Sequence, residues 1–513
     1  MNKNLRSPAK IISLDHLAKL LRQHREEGQT VALCHGCFDL LHPGHIKHFE
    51  EAATFADILV VTVTPDEYVD KGPGRPVFTQ QIRLETIAAI GCVDYVALNR
   101  WPTAEETIRL LRPDFFVKGS EFENKPDPSG KLQREQAIMA EVGCQMRYTH
   151  IPVVFSSTQL LRDMFDFITP EMQKFLTEFR QVDSLAQLDT YLETFRKLRI
   201  TVIGETIIDE YHYVSPEGKS PKANVITSRY LRQTAGLGGA LCIANHLSDF
   251  CGHVNIITTL GRQQPNWEEA IRRQLPANVS LRAVFCDDRP TIVKRRYIEP
   301  VFLEKLFEVH FYNDAPLSST HEQQVLDTLS DCIEQSDLLI ISDFGHGMMT
   351  PAIIDAITSL SLFRAATIQT NSTNFGFNPA TRYRNLDFIS IDERELRLAM
   401  QDKFTPVSEI APRLMHRLQT PIGAITLGKN GSAIFDQHQR LCQVPVLSQH
   451  TKDPIGAGDA FFALASLAAK LKAPATWIAF LGNAAGALAA NIIGNDEAIK
   501  AGTYRKFAGG LLQ

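Results

Sequence analysis

Two short segments of the chain combine side chains and glycines at spacings suited to phosphate chemistry. The first is His42-Pro43-Gly44-His45, which follows the strand-like run TVALCHGCFD (30–39) and leads into the helical IKHFEEAA. Pro and Gly fit a turn into a helix start, and histidines three apart share one face of its first turn, where free N–H groups and the helix dipole attract anions. Two imidazoles there can grip a polyphosphate and donate to non-bridging oxygens as charge builds at an α-phosphate, with no covalent intermediate. The second segment is Asp453-Pro454-Ile455-Gly456-Ala457-Gly458-Asp459, leading into AFFALASLAAKL. Its glycines let backbone N–H groups converge on a transferring phosphoryl group at a helix N-terminus. Asp459, in the first turn, is set to take a proton from an attacking hydroxyl.

Both segments need a scaffold, and the pattern around them describes one. TVALCHGCFD and RITVIGETIIDE (199–210) each open an alternation of apolar strand-like runs (ADILVVTV, DFFVKG, VNIITTL, DLLIISD, FISID, AITLG) with amphipathic helical stretches. That alternation predicts α/β architecture with parallel sheets covered on both faces. At roughly 150 residues per domain, a chain of 513 residues holds two to four folding units. The charged helical stretch 169–196 separates a domain at 1–168 from a longer one at 197–513, with 169–196 as a helical linker. Two β-rich interruptions, YHYVSPEGKSPKANVITSRYLRQTAG and TIVKRRYIEPVFLEKLFEVHFYN, read as a small sheet projecting from the second domain as a lid, and polar residues 120–136 read as a loop.

Composition excludes several function classes. Lys and Arg total 53 against 58 Asp and Glu, a net charge of −5, which argues against a nucleic-acid partner. No run of about 18 apolar residues occurs, so no membrane span is expected; Ala479 to Gly494 is the nearest approach and reads as a buried helix. Nine dispersed cysteines suit a reducing compartment, so the expected location is cytoplasmic. Cys34-His35-Gly36-Cys37 spells C-x-x-C without the second pair a zinc site would need, and reads as a strand end.

Residues 35–52, HGCFDLLHPGHIKHFEEA, resemble the signature of nucleotidyltransferases that join a nucleotide to a phosphorylated alcohol or sugar. KGPGRPVFTQQIRLETIAAIGCVDYV (71–96), FVKGSEF (116–122) and VFSSTQLLRDM (154–164) follow in the order of the adenylyltransferase half of the bifunctional heptose-phosphate kinase/adenylyltransferase family. The resemblance implies a Rossmann-like fold in which His42 and His45 contact the triphosphate. It also implies that Lys118, Ser157 and Thr158 close over nucleotide and phosphate, while Gly36, Phe38 and Asp39 shape the opening loop. Lys71, Arg75 and Arg83 are phosphate-ligand candidates by charge.

The segment around Asp459 is similar to the signature of ribokinase-like sugar kinases, which implies an α/β sandwich with a β lid over 197–513. Gly456, Ala457 and Gly458 then form the anion hole and Asp459 is the base. Asp209 holds sugar hydroxyls, Gly238 and Gly239 let backbone approach the sugar, and Lys294 and Arg296 reach in from the lid. Thr426, Gly428 and Gly431 form the nucleotide-side loop, Asn483 borders the adenine, and Asp392 and Glu395 act indirectly on a metal. Three departures from the family pattern stand out: Cys242 replaces an Asn, QTNSTNFGFNP (369–379) replaces an Asp-Pro-Lys, and Asp392 replaces an Asn.

Together the halves imply a bifunctional enzyme in reversed domain order. The kinase phosphorylates the anomeric hydroxyl of a sugar phosphate, heptose 7-phosphate first, with ATP and Mg2+. The nucleotidyltransferase transfers a nucleotide to the sugar 1-phosphate, with ATP as donor and CTP on an alditol or glycerol phosphate as the alternative. A second reading keeps the first domain active and makes the second a weakly catalytic sugar-binding or dimerising module. The family's lids pair between subunits, so a homodimer is expected.

Overall fold

Runs such as ILVVTV (58–63) and LLIISD (338–343) are buried at every position, as strands covered on both faces must be. They are central strands of two sheets in two units, Met1–Phe167 and Ile168–Gln513. The structure is a computed structural model. It describes residues 10–69, 76–120, 131–150, 169–182, 184–262, 266–300, 304–372, 374–448, 451, 453–492, 494 and 497–512.

The first unit runs α1 (Leu14–Glu26), β1 (Val31–Gly36), α2 (Pro43–Ala52), β2 (Ile58–Val63), α3 (Gln80–Ala88) and β3 (Tyr95–Leu98). It continues with α4 (Glu105–Leu111), β4 (Phe115–Gly119), α5 (Lys131–Val142) and β5 (Gln145–Thr149). All neighbours in its sheet, order β3-β2-β1-β4-β5, pair parallel. The order reverses beside β1, so a crevice opens beyond the carboxyl ends of β1 and β4. Helix α5 begins at Lys131, inside the stretch read from sequence as loop: KLQREQAIMAEV is amphipathic and packs Met139 into the core.

The second unit opens with α6 (Pro170–Val182), α7 (Leu185–Phe195), β6 (Arg199–Gly204), β7 (Thr206–Lys219), β8 (Ile226–Gly239) and α8 (Ala240–Ser248). There follow β9 (His253–Gly261), α9 (Trp267–Gln274), β10 (Val279–Cys286), β11 (Ile292–Glu299), β12 (Glu304–Phe311), α10 (Ser319–Ile333) and β13 (Leu338–Asp343). Next come α11 (Pro351–Thr358), β14 (Phe363–Ile368), β15 (Phe388–Asp392), α12 (Glu393–Met400) and α13 (Val407–Leu418). The unit closes with β16 (Ile422–Thr426), β17 (Ser432–Phe435), β18 (Arg440–Val444), α14 (Ala457–Lys470), α15 (Ala475–Ala489) and α16 (Ala501–Leu512).

Nine strands form the main sheet, order β10-β9-β6-β13-β14-β15-β16-β17-β18, parallel except for β17 and β18 at one edge. Separate apolar clusters cover it, one including α6, α7, α8, α14 and α15, the other α10 to α13. The lid is a four-stranded sheet, β12-β11-β7-β8. The first nine residues of β7 are buried and its last five are not, so the strand leaves the core and carries the lid out with it.

The helices of 169–196 are built into the second unit. Met172, Leu176 and Phe179 of α6 and Leu188, Tyr191, Leu192 and Phe195 of α7 belong to its larger core, and the Phe179 ring lies 4.9 Å from Phe480 and 5.1 Å from Trp477. Phe179→Ala is expected to lower the stability of the second unit by about 3–5 kcal/mol, read as a shifted denaturant midpoint in the intact chain. An unshifted midpoint would mean that α6 merely connects.

Candidate active sites

In the first unit the turn after β1 is shaped by backbone. Phe38 takes a φ of +50°, and its ring folds over Gly36, where an added Cβ would lie 2.9 Å from that ring. Asp39 is buried and accepts from the N–H groups of Val77 at 2.7 Å and Phe78 at 3.1 Å, pinning the next loop. His42 caps α2: its Nδ1 accepts from the Gly44 N–H at 3.1 Å, which puts the proton of the neutral ring on Nε2. Burial holds this imidazole below the usual histidine range. The rings of His42 and His45 lie 3.9 Å apart. A pair of imidazoles is thus gathered at a helix N-terminus on the crevice where the strand order reverses.

Lys118 is on β4, next to β1, and its ammonium pairs with the buried Glu135. Lys71, Arg75, Ser157 and Thr158 lie outside the described residues. Arg83, a phosphate-ligand candidate by charge, is turned into the protein. Its guanidinium is 1% exposed, pairs with Asp66, and donates to the carbonyls of Phe78 and Cys37. Charge suggested a ligand, but α3 turns this side chain inward, where it ties the β1–α2 connection at Cys37 to the β2–α3 connection at Asp66 and Phe78.

In the second unit the carboxyl ends of β13 to β16, the lid and the start of α14 converge. Gly456 takes a φ of +81° as the N-cap of α14, and a Cβ on Gly458 would meet nothing within 4 Å. The turn Gly456-Ala457-Gly458 therefore leaves open space at a helix N-terminus where a phosphoryl group fits, while the Ala457 N–H donates to the Pro454 carbonyl at 3.3 Å. Asp459 follows, buried. Desolvation, then the charge of Asp209, pushes its carboxyl up to about 7. Lys294 from β11 acts in the opposite direction, as does a 2.8 Å hydrogen bond donated by Gln369 Nε2 to Asp459 Oδ1.

The expected sugar-side residues gather around that carboxylate. Asp209 of β7 is ion-paired with Arg296 of β11, and both are buried. Lys294 interacts electrostatically with Asp209 and Asp459, and burial lowers its pKa. Cys242, in the first turn of α8, is buried against the same two carboxylates, and burial, then Asp459 and Asp209, drive its thiol well up. A neutral thiol is a weak donor where Asn would offer both donor and acceptor. The two glycines serve mainly the protein. A Cβ on Gly238 would lie 2.3 Å from Asp209 Oδ2, and Gly239, at φ +60°, lies against the Glu205 carbonyl. Gly238 thus makes room for the Asp209 carboxylate.

On the nucleotide side, Thr426 ends β16, and the turn to β17 needs Gly431, which has a φ of +82° and whose Cβ would overlap the Val444 carbonyl at 2.0 Å. Gly428 lies on the same turn, with open space where its side chain would be. Asn483 of α15 donates to Ser432 Oγ at 2.8 Å, fixing the turn from below. Asp392 and Glu395 form the capping box of α12, and Glu395 also accepts from the Thr370 N–H at 2.9 Å. Their carboxylates are thus used first within the protein. Among the described residues, the grouped metal-ligating side chains are Cys286, Asp288 and His321, a set that includes neither.

Two contributors, Glu205 and Gln369, went unread in the sequence. Glu205, buried after β6, accepts from the N–H groups of Phe344, His346 and Met348 and shapes the SDFGHG turn. Asp343 is caged by Gly345 N–H, Asn378, Arg382 and Tyr383. Gln369 bonds the base itself. An acidic residue after a strand-ending Gly hinted at Glu205, whereas Gln369 carries no local signal.

Arg83→Met separates the two readings of that residue. It is expected to cost the first unit about 1–3 kcal/mol, because two carbonyls and a half-exposed carboxylate lose their partner, seen as a lower denaturant midpoint. An unchanged midpoint with a raised KM for nucleotide would restore the ligand role.

Comparison with known proteins agrees with this division. The cytidylyltransferase-like family matches residues 33–163. The pfkB family carbohydrate kinases match residues 197–500, more than half of the chain. Among curated relatives, Bifunctional protein HldE of Syntrophotalea carbinolica is 40% identical over 116 residues, 22% of this chain and 24% of the relative. Its namesake in Desulfatibacillum aliphaticivorans is 36% identical over 158 residues, 30% of this chain and 31% of the relative. The aligned stretches thus span about a quarter to a third of those relatives. Phosphofructokinase-2 from Escherichia coli in complex with potassium superimposes with a TM-score of 0.51 at 16% identity, covering 62% of this chain and 100% of that one. The same enzyme in complex with fructose-6-phosphate gives 0.50 at the same identity and coverage; the likeness is one of fold. The chain belongs to the pfkB family of carbohydrate kinases and carries a cytidylyltransferase-like domain at its N-terminus.

Proposed function

We propose that the second unit phosphorylates the anomeric hydroxyl of a sugar phosphate, with heptose 7-phosphate as the first candidate, using Mg-ATP. The first unit then couples AMP from Mg-ATP to the sugar 1-phosphate, after another enzyme has removed the 7-phosphate. The observation that carries the kinase half is Asp459: a buried carboxyl with a pKa near neutrality, in the first turn after a glycine cap, faced by Lys294 and Asp209. Phosphoryl transfer to an alcohol needs this combination. The sugar oxygen attacks the γ-phosphorus, its proton passes to Asp459, and the γ-phosphorus–oxygen bond to ADP breaks. Backbone N–H groups of the Gly456-Ala457-Gly458 turn take up the charge on the transferring group, that of Ala457 exchanging the Pro454 carbonyl for phosphate.

In the nucleotidyl half a sugar-phosphate oxygen attacks the α-phosphorus and pyrophosphate leaves. His42 and His45 donate to the oxygens on which charge builds, and Lys118 exchanges Glu135 for phosphate. No base is needed, because the nucleophile is already ionised. The name shared by the curated relatives supports pairing the two activities in one chain.

Exposed apolar side chains on the lid, Tyr230 and Leu231 on β8 with Phe307, Val309 and Phe311 on β12, support a homodimer formed through the lids. Light scattering is expected to return twice the chain mass of 57.4 kDa; a monomer at working concentration overturns this. The substrates are those of the cytoplasm, where we place the enzyme.

Phosphorus NMR with Mg-ATP and heptose 7-phosphate tests the kinase half. Wild type is expected to give an anomeric phosphate signal that Asp459→Asn lowers by about 10²–10⁴-fold. Since the active form is the carboxylate and its pKa is about 7, kcat/KM should fall as the pH drops below neutrality. Pyrophosphate release with the sugar 1-phosphate tests the other half: His42→Ala and His45→Ala are each expected to lower it by about 10²–10³-fold. CTP turning over in place of ATP would overturn the adenylyl assignment.

A further inference from the structure

The segment that departs most from the family pattern, QTNSTNFGFNP (369–379), runs directly beside the base. Among the described residues, Gln369 is the side chain that donates to the Asp459 carboxylate, through Nε2 to Oδ1 at 2.8 Å. Its backbone is held on both sides. The Gln369 N–H donates to the Asp343 carbonyl at 2.8 Å, its carbonyl accepts from Asn378 Nδ2 at 3.3 Å, and the next N–H, of Thr370, is bound by Glu395. Asn371 and Asn374 close the turn reciprocally, each side-chain oxygen accepting from the other's N–H at 2.9 and 3.1 Å, and Asn374 Nδ2 donates to the Phe344 carbonyl at 2.7 Å. The donor is thus anchored to β13, β14 and α12.

We infer that Gln369 is a positioning residue for the phosphoryl transfer proposed above: its amide fixes one oxygen of Asp459 and turns the other towards the acceptor hydroxyl. The inference rests on that reading of the second unit. The groups facing Asp459 are Asp209 of β7, Lys294 of β11, Cys242 of α8 and Glu395 of α12. Two are acids and one is a buried thiol, so none of the three favours the carboxylate. Lys294 favours it by charge but is shared with Asp209. A neutral amide stabilises the ionised form through one directional bond and leaves the basicity of the second oxygen largely intact, whereas a cation in contact would quench it. The loss of Asp-Pro-Lys therefore does not disable the site, since the replacement segment supplies a donor of its own.

Gln369→Leu and Gln369→Met remove the donor and keep the bulk. Each is expected to lower kcat by roughly 10- to 100-fold while the KM for ATP stays within about twofold. Because the lost bond favoured the charged form, the acid limb of the pH profile should rise by about one unit. Infrared spectra of the full chain labelled with carboxyl-13C aspartate, with Asp459→Asn as the assignment blank, follow the carboxyl without turnover, and its titration should rise in step. Unfolding midpoints show whether each variant is folded, and either one suffices for the measurement. If kcat, the acid limb and the carboxyl titration all match wild type, Gln369 does not position the base. If wild type transfers no phosphate to any sugar phosphate, the functional reading fails, and the carboxyl titration alone then decides whether Gln369 holds Asp459.

Discussion

A carboxylate that must be buried and yet ionise is the constraint around which the second unit is arranged. Removing Asp459 from water disfavours its charged form, and Asp209 nearby disfavours it further. Left uncompensated, such a group would stay protonated and could accept nothing. Lys294, the Gln369 amide and the position of Asp459 in the first turn of α14 oppose that tendency, leaving the carboxyl close to neutrality.

The compensation is spread over elements far apart in sequence, so the fold has to hold their loops in register. The carboxyl ends of adjacent parallel strands do this through hydrogen bonds from one loop to the next, Asp343 to Gln369 and Thr370 to Glu395, with Glu395 held in turn by the cap of its own helix at Asp392. The lid is tied to the same frame. Asp453, first residue of the anion-hole segment, accepts from Tyr211 of β7 and pairs with Lys305 of β12, and these bonds hold its carboxyl below the usual range although burial alone would raise it. The glycine turn before α14 and the lid strands β7 and β12 therefore share one carboxylate.

The first unit meets a different demand with different groups. In the reaction proposed for it the nucleophile brings its own charge, so the protein needs donors rather than a base. A buried imidazole with one nitrogen committed to a helix cap is a neutral donor whose tautomer is set by the backbone. Arg83, the conspicuous cation of α3, is used to hold the loops that surround this cap.

How much of this was legible in the sequence depended on how local the signal was. The alternation of apolar runs, the turn into α2, the glycine cap of α14 and the acid that follows it are each written within about ten residues, because helix starts and strands answer to their immediate neighbours. These determined the α/β class, the lid and the place of Asp459 in the first turn of α14. Tertiary structure alone decided the fate of Arg83, the use of Gly238 to admit Asp209, the cage around Asp343 and the bond from Gln369 to Asp459. They join residues from different connections, up to 90 positions apart, and whether a polar side chain faces solvent, substrate or another loop is settled by which strands lie side by side, a relation that no local pattern encodes.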